Sequence, residues 1–318
     1  MSAPARSRRP GLAAAAALLP LLALTACGSG DPATVRAAAG PGASAPGDDP
    51  VAAVAEVDSI AALLPADVRK AGTVRVGTAA GGSPPGVYFA DADHRKPVGL
   101  DVDIADAVGK VLGLRIDREI ATFETILPAL DSGKYDVGTG NFGVTNERLK
   151  TIDFVTYIDD GQGFAVRTGN TSLGKVTDLT QLCGLTVGTG AGTTFEATLN
   201  AHKDDCVKAG KKPYQVKVFS EQAATLTGLQ QGRLDVLMST INGLRYQESQ
   251  PAAKVTFLNE FHRLDVGFAF AKGSPLTRAF QAAVNQLIKD GSYARILRKW
   301  GTTGSAITES RINPPELP

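Results

Sequence analysis

The sequence contains few of the residues from which metal centres and redox sites are built, and no strong excess of either charge. Its 318 residues include three histidines, three cysteines and one tryptophan, and 33 basic side chains stand against 32 acidic ones. His94, His202 and His262 are widely separated and fit no zinc-binding spacing. A nucleic-acid partner would require a concentrated basic field, which is missing. We therefore expect no metal and no nucleic acid.

Motifs of nucleophilic and nucleotide-dependent catalysis are missing as well. The chain has no G-x-S-x-G and no GxxxxGK[ST], and the S-x-x-K of residues 172–175 lacks its S-D-N and K-T-G companions. The acid pairs Asp159–Asp160 and Asp204–Asp205 are typical of solvated loops, and no pattern around them predicts burial. The sequence thus predicts a protein that is not an enzyme and holds no cofactor.

The N-terminus carries the pattern of an export signal. Three arginines precede an apolar run over residues 12–24, which Pro20 interrupts. The run is shorter than the roughly 20 residues that cross a bilayer, so we predict a cleavable signal peptide over residues 1–26. The segment "SRRPGL" partly matches a twin-arginine signal, and the export route therefore stays open.

Cys27 ends the segment "LTAC", which is similar to the lipobox of bacterial lipoproteins. That resemblance implies a lipid on Cys27; the alternative is a chance cysteine after a cleavable signal. Residues 27–66 are rich in Gly, Ala, Pro, Asp and Ser, a composition that predicts a flexible tether. We expect an extracytoplasmic protein anchored to the cell membrane through Cys27.

Cys183 and Cys206 are the two cysteines that remain in the chain. In an oxidising compartment an isolated pair favours a disulfide. Two separate buried thiols are the alternative.

From Gly72 onward the hydrophobic pattern alternates between strands and helices. "TVRVGT" predicts a buried strand, "GLDVDIADAVGKVLG" predicts an amphipathic helix, and "FETILPAL" predicts a short helix that Pro128 interrupts. "LDSGKYDV" at residues 130–137 is echoed by "LQQGRLDV" at residues 229–236. This echo indicates two α/β lobes of similar construction.

"GTGNFG" at residues 138–143 matches the G-x-G-x-x-G of dinucleotide-binding loops. Such a loop needs a long helix directly after its last glycine. Here "VTNERLKTIDF" leaves room for only a turn or two, so we reject a dinucleotide site. Glycines at a strand end would instead let a ligand approach the backbone closely.

Six blocks carry a family resemblance: "GLDVDIADAVGKVLG", "FETILPALDSGKYDV", "VTNERLKTIDF", "DLTQLCGLTVGTGAGTTFE", "LTGLQQGRLDV" and "IKDGSYARILRKWG". Together they resemble the family 3, polar amino-acid-binding group of ABC-transporter solute-binding proteins. The resemblance covers roughly residues 70–302. It implies an α/β, two-lobed, type II periplasmic-binding-protein-like fold with two crossover strands near residues 164–166 and 266–270.

The resemblance also implies domain limits and a ligand site. The first lobe would comprise residues 67–165 and 267–302, the second lobe residues 166–266, and a tail residues 303–318. The ligand-binding residues would be Phe123, Gly140, Asn141, Gly143, Arg148, Gly190, Thr193, Thr194 and Thr240.

In this resemblance Arg148 grips the ligand carboxylate and Phe123 packs on its side chain. Gly140, Asn141 and Gly143 help from the strand end. The sequence itself predicts that Thr193 and Glu196 form a capping box, whose helix N-terminus would reinforce carboxylate binding.

The chain also departs from the family pattern. Thr240 stands where an aspartate usually holds the α-ammonium, and a second acid is missing at Ala79 or Ala80. The residues that could compensate are Asn141, Asn242, Tyr88 and Asp159. Equally, the ligand could lack a free ammonium. The alternative role for Arg148 is a structural ion pair with an aspartate such as Asp153.

The function that these features imply is substrate binding for an ABC importer, by a monomer that delivers an amino acid or amino-acid-like carboxylate to a membrane permease. One alternative is an enzyme on the same scaffold that acts on carboxylates, similar to cyclohexadienyl dehydratase. Another is a module that presents its ligand to a sensor.

Overall fold

The computed structural model describes residues 49–80, 84–91, 93 and 95–318. The predicted signal peptide, Cys27, the tether up to residue 48 and His94 lie outside the described residues. Within them, no helix combines the length and the apolar character needed to cross a membrane.

The described chain alternates strands and helices. The strands are β1 (Thr73–Ala79), β2 (Tyr88–Phe89), β3 (Pro97–Val98), β4 (Arg115–Ala121), β5 (Val137–Gly143), β6 (Ile152–Arg167), β7 (Thr186–Gly190), β8 (Gln215–Phe219), β9 (Val236–Thr240) and β10 (Val255–Ala271). The α-helices are α1 (Asp58–Ala61), α2 (Ala66–Ala71), α3 (Leu100–Val111), α4 (Phe123–Asp131), α5 (Thr194–His202), α6 (Asp205–Lys208), α7 (Gln222–Gln230), α8 (Ile241–Ser249), α9 (Thr277–Lys289) and α10 (Ser292–Lys299). Short 3-10 helices lie at Arg148–Lys150, Leu179–Leu182, Pro251–Ala253 and Thr303–Ser305.

Eight strands form one sheet in the order β4-β1-β5-β10-β6-β9-β7-β8, and β2 pairs with β3 separately. The parallel set β4-β1-β5 belongs to the first lobe and the parallel set β9-β7-β8 to the second. This arrangement confirms the predicted two-lobed α/β fold. The exact domain limits stay predictions.

Two long antiparallel strands, β6 and β10, connect the lobes. β10 pairs with β5 of the first lobe from Val266 to Ala269, and β6 pairs with β9 of the second lobe from Gln162 to Val166. Their register shifts at three places along this ladder. The predicted crossover segments lie within these two hinge strands and are buried there, whereas residues 256–263 of β10 are only half-buried.

Each lobe has its own apolar core. In the first lobe α3 and α9 bury one face each on the sheet, because apolar residues recur every three or four positions; Ile104, Val108 and Leu287 are fully buried there. In the second lobe Phe164 and Val187 form a core with the Cys183–Cys206 region. Burial of this apolar area is the main stabilising contribution in each lobe.

Residues 49–66 differ from the predicted flexible tether. Val51, Val54 and Leu64 are buried in the core of the first lobe, and the backbone N–H of Val57 donates to the carbonyl of Val111. The prediction from composition overlooked apolar residues that recur every three or four positions in this stretch and pack on the core. The C-terminal part of the predicted tether is therefore a structured cover on the first lobe.

The tail after residue 302 is also packed. Ile312 forms a bridge with Val155 of β6, and the Ser310 hydroxyl donates to the Thr156 carbonyl at 2.6 Å. Arg311 forms an ion pair of 2.7 Å with Asp265 of β10, whose side chain is 5% exposed. The tail thus packs against both hinge strands.

Two local predictions have clear outcomes. The helix predicted to be interrupted by Pro128 is continuous, since α4 runs through this residue. Pro128 is exposed, so its ring does not displace a core side chain. Cys183 and Cys206 form a disulfide, which confirms the predicted pairing.

Candidate ligand-binding site

A cavity of about 270 Å³ lies between the two lobes. All nine predicted ligand-binding residues line it, although they come from separate elements of both lobes and of their connections: Phe123, Gly140, Asn141, Gly143, Arg148, Gly190, Thr193, Thr194 and Thr240. We call this space the interlobe cavity. Of the residues considered as compensating groups, Asn141 and Asn242 line it, whereas Tyr88 and Asp159 do not.

Arg148 lines the interlobe cavity. Its Nη1 donates to the carbonyl oxygen of Gly143 and its Nη2 to that of Gly192, both at 2.9 Å. Its guanidinium carbon lies 5.8 Å from the centre of the Phe123 ring, within the range of a cation–π contact. The guanidinium is therefore positioned by neutral groups from both lobes.

No carboxylate of the described residues forms an ion pair with Arg148. Asp153 instead pairs with Lys272 at 2.9 Å, so the alternative role of Arg148, an ion pair with Asp153, does not occur. Burial lowers the pKa of Arg148 to about 10, against the opposing charge of Glu316. The side chain remains a cation at neutral pH and is available to an anion that enters the cavity.

"GTGNFG" forms the end of strand β5 and is followed by a short 3-10 helix, so it is not a dinucleotide-binding loop. Gly140 has a φ of +147°, and a Cβ there would lie 2.6 Å from the Cβ of Ala79. Asn141 has a φ of +61°, which asparagine tolerates better than most residues. This backbone turns the Asn141 side chain toward β6.

Asp160 is a functional candidate that the sequence interpretation missed. The pair Asp159–Asp160 lies in strand β6 instead of a solvated loop, and Asp160 is 0% exposed. Its Oδ2 accepts from Asn141 Nδ2 at 2.9 Å, and its Oδ1 accepts from the backbone N–H of Asn242 at 3.1 Å. Asp160 thereby contacts both lobes from the hinge, and it lines the interlobe cavity.

Asp159, its neighbour, points elsewhere. It is half-buried and its Oδ1 lies 3.4 Å from Nη1 of Arg263, outside the cavity. The second acid pair lies at the surface, as predicted, but at the start of helix α6 instead of in a loop: Asp204 is exposed, and Asp205 pairs with His202 and Lys208.

Asp101, at the start of α3, is a second buried acid on the cavity wall. Its Oδ1 accepts from the Tyr157 hydroxyl at 2.5 Å. Burial raises the pKa of Asp101 to about 6 and that of Asp160 to about 6, and hydrogen bonds to each carboxylate oppose the shift. The local pattern signals neither of them, because Asp160 directly follows Asp159 and Asp101 lies close to Asp103 in α3.

In the second lobe Thr193 caps helix α5, because its Oγ1 accepts from the Glu196 N–H at 3.2 Å. The Glu196 carboxylate accepts from Gly192 N at 2.8 Å, so the predicted capping box forms with a shift of one residue. The positive end of α5 therefore lies at the cavity, where it favours a negative group.

Thr240 caps a helix, whereas the aspartate expected at its position would hold the α-ammonium of the ligand. Its Oγ1 accepts from the Gly243 N–H at 3.1 Å and so caps helix α8. This leaves the wall at Thr240 uncharged.

Comparison with known proteins identifies similar proteins among the extracellular binding proteins of bacteria. The family model described as bacterial extracellular solute-binding proteins, family 3, matches residues 74–303. The arginine-binding protein ArgT of Corynebacterium glutamicum is 28% identical over 265 residues, which cover 82% of this chain and 84% of that protein.

Solved structures similar to this chain include two ancestral binding proteins. An ancestral arginine-binding protein bound to arginine is 35% identical with a TM-score of 0.64, and the match covers 72% of this chain and 98% of that one. An ancestral amino acid-binding protein, a precursor of cyclohexadienyl dehydratase, is 29% identical with a TM-score of 0.63, covering 74% and 97%.

Proposed function

This chain belongs to the bacterial extracellular solute-binding proteins, family 3, and from that premise we propose that it binds an amino acid or amino-acid-like carboxylate between its lobes. The observation that carries the proposal is Arg148, a cation that lines the interlobe cavity and has no acidic partner among the described residues. A ligand carboxylate would supply the missing charge through two parallel hydrogen bonds.

The remaining predicted residues would complete the carboxylate subsite. The α5 N-terminus with Thr193 and Thr194 faces the same cavity, so its backbone N–H groups would add hydrogen-bond donors. Phe123 would pack on the ligand beside Arg148. The contact from Arg148 to Gly192 O would form as the lobes close on the ligand.

An α-ammonium would need an acid, and Thr240 cannot supply one. Asp160 is the better placed group, because it lines the cavity and has no cationic partner among the described residues. Asn141 would turn its amide oxygen toward the same group, since its Nδ2 is engaged by Asp160. This assignment replaces Asp159 and Tyr88 as compensating residues.

For the cell, we propose the role of an ABC-importer component. The export signal and the lipobox-like "LTAC" support anchoring through Cys27 on the outer side of the membrane. The partner would be a membrane permease that recognises the closed form, and the binding protein would act as a monomer without a cofactor.

Isothermal titration calorimetry with a panel of amino acids and their deamino analogues tests the proposal. We expect at least one carboxylate to bind the wild-type protein and Arg148→Ala to weaken that binding at least 100-fold, since a buried charge-assisted pair is lost. Arg233→Ala, at an exposed site in the second lobe, is the matched control and should bind as the wild type does. Unchanged binding by Arg148→Ala would refute the site.

A second candidate function is catalysis on a carboxylate, which the raised pKa values of Asp101 and Asp160 favour. A carboxyl group of pKa about 6 can donate a proton near neutral pH. The discriminating measurement is turnover of cyclohexadienyl carboxylates by the purified protein, with Asp160→Asn as the control. Ligand binding without any turnover supports the transport role.

A further inference from the structure

The interlobe cavity extends past the predicted carboxylate subsite into the second lobe. We define the lobe-2 chamber as the part of the cavity lined by Phe195, Thr225, Leu226, Leu237 and Leu244. These residues come from α5, α7, β9 and α8, and none was among the predicted ligand-binding residues. The chamber therefore is a part of the site that the family pattern did not identify.

The walls of the lobe-2 chamber are mainly apolar. Leu237 and Leu244 belong to a buried core cluster of the second lobe, and Leu226 packs against that cluster. Phe195 is 9% exposed and adds an aromatic face from α5. An apolar cavity of about 150 Å³ already holds a benzene molecule, so the total of about 270 Å³ leaves room for a carboxylate head and an extended side chain.

One polar group in this wall has no partner among the described residues. Thr225 is 6% exposed and lines the cavity, and its Oγ1 forms no hydrogen bond with any of the side chains and backbone that the structure describes. A buried hydroxyl without a partner is unfavourable, and rotation about χ1 would turn it toward the chamber. A ligand group that hydrogen-bonds Thr225 would recover this cost.

The chamber provides no negative charge. Among the described residues that line the cavity, Asp101 and Asp160 are the acids, and they belong to the first lobe and to the hinge. Burial of a guanidinium or ammonium in the lobe-2 chamber would therefore leave the cation unpaired, which is strongly unfavourable.

We propose that the lobe-2 chamber binds the side chain of the ligand, and that this side chain is extended, uncharged and mostly apolar, with a terminal hydrogen-bonding group for Thr225. This inference rests on the proposed carboxylate-binding function and names its ligand class. It distinguishes this chain from the arginine-binding proteins that it resembles, because it assigns an uncharged side chain.

Two pairs of probes test this ligand class by calorimetry at fixed pH and salt. Alanine and norleucine differ in apolar length, and we expect norleucine to bind at least tenfold more tightly because of its added buried methylenes. Citrulline and arginine are nearly isosteric but differ in charge, and we expect citrulline to bind at least tenfold more tightly. Equal affinities within the first pair, or tighter arginine binding, would overturn the proposal.

Variants locate the side chain. Thr225→Val keeps the volume and removes the hydroxyl, so it should weaken citrulline binding fivefold or more and change norleucine binding less than twofold. Thr227→Val on the exposed side of α7 is the matched control and should change neither. An equal effect of Thr225→Val on both probes, or no effect on citrulline, would contradict the assigned contact.

Ala223→Phe provides a test that does not disturb the core. Ala223 is exposed and lines the rim of the cavity, so the larger side chain should narrow the chamber. We expect norleucine binding to weaken at least tenfold and alanine binding to stay within twofold; the reverse would overturn the proposal. If no carboxylate binds the wild type at all, the proposed function fails instead, which separates the two outcomes.

Discussion

Arg148 Nη2 donates a hydrogen bond to the carbonyl oxygen of Gly192 at 2.9 Å, and this bond joins the first lobe to the second across the cavity. Gly192 has a φ of +69°, and a Cβ added to it would lie 2.9 Å from the Cβ of Glu124 in α4. The closed arrangement therefore depends on a glycine at the point where the lobes meet.

Gly192→Ala should impair closure. The added methyl group would hold Glu124 and the facing loop apart, so we expect ligand affinity to fall at least tenfold by calorimetry. Gly210→Ala is the matched control: it has the same φ of +69° in the second lobe but no neighbour within 4 Å. Both variants carry the backbone strain of a left-handed alanine, about 1 kcal/mol. Equal affinities of the two variants would show that this contact does not limit closure.

Regular periodicity predicted the alternating strands and helices, and the family resemblance predicted the ligand site. Strands such as β1, which is buried from Val76 to Thr78, appear as short apolar runs, and Thr193 at the start of α5 is a local capping signal. Arg148 follows the end of β5 by five residues, so it lines the same cavity as the glycines of that strand.

The parts that the sequence did not predict depend on long-range packing. Asp160 is buried because β6 crosses between the lobes with neighbours on both faces, and its local pattern gives no sign of this. Arg311 reaches Asp265, which is 46 residues away, through a polar tail without hydrophobic periodicity. The lobe-2 chamber likewise depends on how α7 and α8 pack, which no motif encodes.

The buried carboxyl group of Asp160 should make stability depend on pH. Burial raises its pKa to about 6 in the folded protein, above the value of about 3.9 in an unfolded chain. Between these values the folded state binds more protons, so the contribution of this group to the unfolding free energy falls as pH rises. The unfolding free energy of Asp160→Asn minus that of the wild type should therefore rise by about 1 to 3 kcal/mol from pH 4 to pH 7, as measured by urea unfolding.

Asp136 is the control for that experiment, because its pKa is shifted in the direction opposite to that of Asp160. Burial raises the pKa of Asp136, but the hydrogen bonds and charge of Arg75 outweigh it and lower the value overall. This group stabilises the fold above the unfolded pKa, and the contribution is lost as pH falls. Asp136→Asn should therefore lose stability relative to the wild type as pH rises, and parallel curves for the two variants would contradict the assignment for Asp160.

Arg311 should contribute more to stability than an exposed arginine. Its partner Asp265 has a 5% exposed side chain, so Arg311→Met would leave a buried acid without its cation. We expect a loss of about 1 to 3 kcal/mol in urea unfolding, less than for a fully buried pair because Arg311 itself is half-exposed.

The matched variant is Arg75→Met. Arg75 donates from Nε and Nη2 to Asp136, one hydrogen bond more than Arg311 makes to Asp265, but the Arg75 and Asp136 side chains are 52% and 31% exposed. Exposed pairs contribute about 0 to 1 kcal/mol. A loss for Arg311→Met no larger than that for Arg75→Met would mean that burial of Asp265 does not strengthen its ion pair with the tail.

Asn141 combines a left-handed backbone with a hydrogen bond to Asp160, and two substitutions separate these features. Asn141→Gly and Asn141→Ala both remove the bond of 2.9 Å, but alanine also carries strain at the φ of +61°. Glycine should therefore be more stable than alanine by about 1 kcal/mol at any pH.

The hydrogen bond from Asn141 to Asp160 matters most when Asp160 is ionised, since a buried carboxylate then loses one of its donors. Because burial raises the pKa of Asp160 to about 6, the loss for Asn141→Gly should be larger at pH 7.5 than at pH 4.5. Urea unfolding at both pH values measures it, and a loss independent of pH would show that Asn141 does not stabilise the charged form.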